Sequence, residues 1–297
     1  MIINDTNLEA LRKTLNASFQ SGLTLAQSDW DKVAMAVPST AGENIYPWLK
    51  DIPGMREWIG PRQKHGLAEN AYRVPNKDFE DTISIPRNAI LDDTVGTYGV
   101  NAKMLGSAAA VFPNQLIFQA MRDGFTTGLA FDGLPLFSAS HPIILADGSV
   151  SAYANTDGGA GTNWFLMIDH PVLKPLILQK RQDPLFTSLD RPNDPNLFFN
   201  KEFIYGVDAR YGVGYTFPQL IWGSKQALSA TTFELALTSL RAMKGDFGRP
   251  LGNMNAVLIV PASLEGAARD VVVSATGASG ATNKWKDAAK LVISPWL

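Results

Sequence analysis

The order of elements along the 297 residues predicts an α+β fold, because amphipathic helical stretches and alternating strands follow one another without a repeating βαβ rhythm. A hydrophobic content of 45% is enough to bury a sizeable core in one large domain or two smaller ones. Charged residues make up only 18%, against about a quarter in most soluble domains, so much of the surface must be uncharged or in contact, which points to extensive subunit interfaces.

The first helix is written in Leu8, Leu11, Leu15 and Phe19, which recur at spacings of three and four, with Thr6 or Asn7 placed to cap it. The stretch from Gly22 to Gly60 is rich in Pro, Gly and Trp and shows no long period. It reads as an extended arm with short helical turns, whose Trp30, Trp48 and Trp58 are expected to meet a neighbouring subunit rather than their own core. Residues 57 to 91 read as a long hairpin, since the limb "FEDTISIPRNAI" puts Phe79, Ile83 and Ile85 on one face and Glu80, Thr82 and Ser84 on the other, with Asp81 the exception. A two-stranded excursion of this length is marginal alone and needs a partner surface.

After Asp92 and Asp93, the register Val95, Tyr98, Ala102, Leu105, Ala109, Phe112 and Leu116 predicts the longest helix, weakened by Gly96, Gly99 and Gly106, kinked or split at Pro113, and stopped at Gly124. Residues 131 to 162 are turn-dominated. "FLMIDHPVLKPLILQKRQDPLF" and "KEFIYGVDARYGVGYTFPQLIWGS" read as strands, the second twisted or bulged at its glycines, with "LDRPNDPNL" as the loop between them. "ATTFELALTSLRAM" is a helix opened by a Thr231/Glu234 capping box, with Phe233, Leu237 and Leu240 inward. A buried strand "AVLIV", a helix from Ser263 to Val273 and a last strand in "AKLVISPWL" close the chain.

Several kinds of chemistry are disfavoured. The formal net charge of -2 and pI of about 5.9 lack the basic stripe of a protein that grips phosphates tightly. Zero cysteines remove disulfides, thiolate metal sites and cysteine nucleophiles, and suit a reducing cytoplasm. There is no secretory signal pattern, and the longest apolar runs are too short to span a membrane. The histidines, His65, His141 and His170, show no metal-ligand spacing. His141 and His170 each precede a proline and are expected to be extended, with their ring nitrogens on local backbone. Asp132 or Asp169 with His141 or His170 and a serine could in principle make a hydrolase, but no Gly-x-Ser-x-Gly elbow exists, and "GDFGRPLG" lacks the Lys-Ser/Thr of a phosphate loop.

Five stretches carry a family resemblance in order: "IYPWLKDIPGMREWIGPRQ", "YRVPNKDFEDTISIPRNAILDDTVGTYG", "FDGLPLFSASHPI", "DFGRPLGNMNAVLIVPASLEGAARDVV" and "LVISPWL". Together they resemble the major head subunit of Mu-like phages and prophages, from the N-terminal helix to the last residue. The resemblance implies an HK97-like capsid fold, with residues 1–55 as N-arm and 56–91 as E-loop hairpin. It implies a peripheral domain of 92–124 (the spine helix) with 164–217, and an axial domain of 125–163 with 218–297.

The implied function is a major capsid protein that builds an icosahedral-type shell around double-stranded DNA, with an encapsulin-like nanocompartment shell as the alternative on the same fold. No enzyme activity and no cofactor follow from it. A competing enzyme reading would use His141 with Asp132, and replacing His141 by Asn would then abolish turnover while leaving assembly intact. The expected contacts are Trp30, Trp48 and Trp58 anchoring the arm, and Phe79, Ile83 and Ile85 packing the hairpin on an adjacent subunit. Arg56, Glu57, Arg62 and Arg87 are expected in ion pairs between subunits or on the subunit's own surface. Expected partners are further copies of the chain in hexamers and pentamers, a portal protein, decoration proteins and packaged DNA held by weak, non-specific contact, with no membrane. The arm helix starts near Met1 without a long charged extension ahead of it, so a separate scaffolding protein is expected, with a maturation protease as the resemblance implies. The expected location is the virion, after assembly in the bacterial host cytoplasm.

Overall fold

The computed structural model describes residues 4–50, 72–92, 95–145, 147, 149–251, 255–277 and 280–297. Helix α1 (Asp5–Leu25) buries the predicted stripe of Leu8, Leu11, Leu15 and Phe19. Its cap is Asn4 rather than Thr6 or Asn7, because Asn4 is the last extended residue and its side chain accepts from the Asn7 N–H at 2.8 Å. A short turn α2 (Trp30–Val33) leads into β1 (Ala34–Pro38), followed by β2 (Glu43–Tyr46) and a 3-10 turn over Pro47–Lys50. Then come β3 (Tyr72–Pro75), β4 (Lys77–Pro86), α3 (Arg87–Leu91) and the long helix α4 (Val95–Asp123).

The chain continues through β5 (His141–Ile144), β6 (Val150–Tyr153), β7 (Thr156–Gly159), β8 (Trp164–Ile168) and β9 (Leu176–Leu189). After α5 (Pro195–Asn200) it returns in β10 (Glu202–Tyr215), β11 (Ile221–Lys225) and α6 (Ala230–Ala242). It ends with β12 (Lys244–Gly245), β13 (Arg249–Pro250), β14 (Ala256–Pro261), α7 (Glu265–Val272) and β15 (Lys290–Ser294).

Two sheets organise these elements. One has the order β1-β9-β10-β4, with β1 parallel to β9 and β10 antiparallel to both its neighbours. Its spine is the 14-residue pair β9/β10, with the register shifts around Asp208 and Arg210 that the glycine-rich sequence suggested. The other has the order β15-β14-β8-β11-β7. One core joins them: Ile117, Phe118 and Met121 of α4 pack with Leu176, Leu178 and Tyr215 of the first sheet and Phe165, Met167 and Ile259 of the second. Helices α6 and α7 cover the far face of the second sheet through Phe233, Leu237, Ala268 and Val272.

The structure corrects four expectations. The segment expected as an arm toward a neighbouring subunit packs on its own chain, because α1 finds a matching face on α4 and β1 is a strand of the first sheet. Gly106 is less a weak point of α4 than the notch that admits α1: a Cβ there would sit 2.1 Å from the Phe19 carbonyl oxygen, and one at Gly22 would sit 2.1 Å from that of Lys103. Pro113 does not split α4, which runs on as one 29-residue helix whose two halves are each pinned by packing. The α6 cap is the pair Ser229 and Thr232, each side chain bonded to the other's backbone N–H, because the helix starts two residues before Thr231 could cap it.

The boundary between the two sheet units also moves. The expectation put 164–217 in one unit, yet β8 pairs with β14 and β11 in the five-stranded sheet. The crossing therefore falls in 169–175, where the His170 N–H bonds Ile168 O at 3.0 Å and the turn redirects the chain into β9.

Candidate functional site

The histidine and aspartate of "FDGLPLFSASHPI" do meet. His141 is fully buried, with Nδ1 2.6 Å from Asp132 Oδ2 and Nε2 3.1 Å from the Leu136 carbonyl. Each ring nitrogen thus faces an oxygen, one of a carboxylate and one of a backbone carbonyl. Asp132 Oδ1 accepts the Leu134 N–H at 3.1 Å, across a turn in which Gly133 takes φ +80°. Tyr153 stacks on the imidazole, and Asn155 Nδ2 donates to the same Leu136 oxygen at 2.7 Å. His141 therefore bonds the local backbone, as the sequence suggested, and also the aspartate. Among the described residues no group of three or more His, Cys, Asp or Glu could hold a metal. What the arrangement does is lock the loop after α4 against the five-stranded sheet.

The expected contact residues divide. Trp30 turns to its own chain: it packs on the joint core, its N–H donates to Asn114 Oδ1 at 2.8 Å, and Lys180 Nζ lies 5.1 Å over its ring. Ile85 is 1% exposed among Leu8, Leu11 and Phe203, which leaves no surface for a neighbour. Ile83 is half-buried against the same group, and Phe79 packs edge-on to Phe112 at 4.8 Å. The reason is pairing: β4 zips along β10 from Lys77/Tyr211 to Pro86/Glu202, so the predicted alternation turns its apolar face onto α1 and α4 of the same chain. Arg87 is exposed and makes no ion pair among the described residues, while its backbone N–H donates to Lys201 O at 2.8 Å. Trp48 belongs to the 3-10 turn by its backbone, and its side chain lies outside the described residues, as do Arg56, Glu57, Trp58 and Arg62.

Surfaces that look outward are elsewhere. At the end of the β9–β10 hairpin, Phe198 and Phe199 are 82% and 76% exposed. The sequence reading left them between the loop ending at Leu197 and the strand stretch beginning at Lys201, although two adjacent phenylalanines on a six-residue helix cannot both face inward. On the outer side of α4, Val100 and Met104 are also exposed, two turns and one turn before Ala108. Ala108 stands at the mouth of a cavity of about 300 Å³ between α4 and the first sheet, floored by Phe79, Leu105, Phe112, Val207 and Tyr211. Burial pushes the Tyr211 phenol up to about 12, so the floor stays uncharged at neutral pH. Glu80 and Asp81 are the charged residues among the described ones that line the cavity. A polar cleft of about 740 Å³ lies between the start of α1 and the 190–194 loop, where buried Asp190 faces Arg12 at 3.5 Å.

A family model described as the Mu-like prophage major head subunit gpT matches residues 8–297. The chain is 32% identical to the major capsid protein of Escherichia phage Mu over 306 residues, covering 100% of both. It is 34% identical to the Mu-like prophage FluMu major head subunit of Haemophilus influenzae, covering 88% of this chain and 87% of that one. Among solved structures, a chain of the bacteriophage JBD30 procapsid superposes with a TM-score of 0.87 at 35% identity, covering 99% of this chain and 100% of that one. A chain of the JBD30 capsid gives 0.78 at 26%, covering 100% and 99%. One from the JBD30 capsid decorated with minor capsid protein trimers gives 0.77 at 26%, covering 94% of each.

Proposed function

Because the chain belongs to the Mu-like prophage major head subunit family, we propose how its parts divide the work of a phage head. It is a major capsid protein with the HK97-like fold, a component of the virion that assembles with copies of itself, and the nanocompartment alternative is not favoured. The observation that carries the reading is the superposition on a procapsid subunit, with a TM-score of 0.87 over 99% of the chain.

Within that function the four-stranded sheet with α1 and α4 acts as the peripheral unit, and the five-stranded sheet with α6 and α7 as the axial unit at the capsomer centre. The shared α4 core supports this, since it would carry load between the two without a hinge. The face of β9 turned away from α4 is left open, with Leu185 and Leu189 about half exposed, as a subunit that finishes its burial against neighbours would be. Capsomers of six and five copies would close the shell, with a separate scaffolding protein, a maturation protease, a portal protein and decoration proteins acting on it in the host cytoplasm. A net charge of -2 suits a wall that touches packaged DNA weakly. The structural role needs no chemistry from His141.

Electron microscopy of the chain co-expressed with its neighbouring genes tests the reading. Closed shells or rings of five and six subunits are expected, and a uniformly small soluble monomer would overturn it.

A further inference from the structure

We propose that the Phe198–Phe199 tip of the β9–β10 hairpin is a knob that docks into the apolar pocket between α4 and the first sheet of a second copy of this chain. The inference rests on the shell function and names a contact within it.

The tip is built rather than loose. Helix α5 is gripped from both sides by Asn196, whose Nδ2 donates to Leu189 O at 3.1 Å and Glu202 O at 2.8 Å. Pro195 opens the helix, and Lys201 closes it in the left-handed region at φ 55°, a conformation that costs a non-glycine residue about 1–2 kcal/mol and so has to be held by its surroundings. The two rings stand edge-on, 5.1 Å apart, both in water. A pre-set aromatic pair loses little freedom on docking, which is how a small contact becomes a strong one.

The pocket has the matching properties. Its lining is mostly apolar, its volume is at the small end of the range of about 300–1,000 Å³ for sites that take a discrete group, and the exposed Val100–Met104 stripe leads to its mouth at Ala108. The charges also fit, because Lys201 adjoins the knob while Glu80 and Asp81 rim the hole, and none of the three has an ion-pair partner among the described residues. The chain cannot serve itself. The knob lies beyond Glu202 and the pocket begins at Val207, five strand residues or roughly 17 Å further along β10. A knob and a hole on different faces of one chain make a head-to-tail contact, the kind that closes into rings and shells.

The chain has no cysteine, so an introduced pair reports cleanly. Phe198→Cys combined with Ala108→Cys, in shells treated with oxidant or a short bis-maleimide, is expected to give a ladder of covalent multimers on denaturing gels. Neither single variant should do so. Phe198→Asp, at an exposed position that does not threaten folding, is expected to leave folded subunits and cut shell yield by tenfold or more. Shells of the double variant without a ladder would overturn the contact. So would multimers from Phe198→Cys alone, which would mean tips meeting tips, or a cross-link closed within one chain. Shell yield unchanged in Phe198→Asp would do the same. Absence of shells in the unaltered chain would remove the shell reading and the proposal with it.

Discussion

Asn114 shows how much one polar side chain holds. It is 3% exposed on α4, and its Oδ1 accepts the Ser28 hydroxyl and the N–H groups of Asp29 and Trp30 at 2.8 to 3.0 Å, tying the end of α1 to the start of β1. Asn114→Ala should strand two backbone donors and cost about 2–4 kcal/mol, read as a lower urea midpoint with an unchanged slope; a loss below about 0.5 kcal/mol would mean water replaces the oxygen. The His141–Asp132 bond makes a similar demand. His141→Asn should destabilise the fold by about 3–5 kcal/mol, the range for breaking a buried pair, and so reduce assembly. Intact assembly with a lost hydrolytic activity would instead restore the enzyme reading. Asp169 lies near the surface between Lys174 Nζ at 2.6 Å and Lys290 Nζ at 2.9 Å, and those two ammonium groups hold its carboxyl below the usual range. A lowered folded-state pKa stabilises above the unfolded value of about 3.9, and that contribution is lost as pH falls through the folded value. Asp169→Asn should therefore cost under about 1 kcal/mol at neutral pH and flatten the stability profile below about pH 4. A mutant curve parallel to the parent's throughout that range would dismiss the pairing as energetically idle.

At the scale of elements, the α1–α4 crossing separates local from tertiary preference. Alanine is the better helix former by about 1 kcal/mol, yet the missing Cβ atoms of Gly22 and Gly106 are where the two backbones touch. Gly106→Ala should therefore destabilise, by about 1–3 kcal/mol once the helices are forced apart. Gly99→Ala, whose Cβ would meet only Ser18 Oγ at 3.4 Å, should be neutral or stabilising. A calorimetric melt of both variants decides this, and the same sign for the two would count against the notch. The contrast also marks what the sequence could say. Periodicity identified the buried face of α1, the alternation of β4 and the inward residues of α6, because those patterns are local. It read Gly106 as a weakness and Ile85 as an offering to a neighbour, because which surface an apolar face meets is decided by residues far away in the chain.

At the scale of the molecule, composition and order gave the mixed class, and the five quoted stretches carried the family, but the assignment of β8 to the five-stranded sheet could not be read from a run of apolar residues that suits either sheet. The outward tip at Phe198 was equally hidden, since exposure is a property of what the folded chain leaves uncovered. The N-terminal segment is where this difference has the largest consequence. An arm that lies across neighbours can be removed without unfolding its own subunit, whereas α1 places Leu8, Leu11, Leu15 and Phe19 in the interior of this one, each at most 4% exposed. Four such side chains are worth about 6–12 kcal/mol at 1.5–3 kcal/mol apiece, comparable to the entire stability of a typical domain. Deleting residues 1–25 should therefore give a chain that does not fold, recovered as aggregate and without a cooperative transition, because the α4 face notched by Gly106 and the Ile85–Phe203 cluster would both lie open. If the truncated chain is instead soluble, melts cooperatively and fails only to form shells, α1 is an arm after all, and its contacts with α4 are replaceable ones.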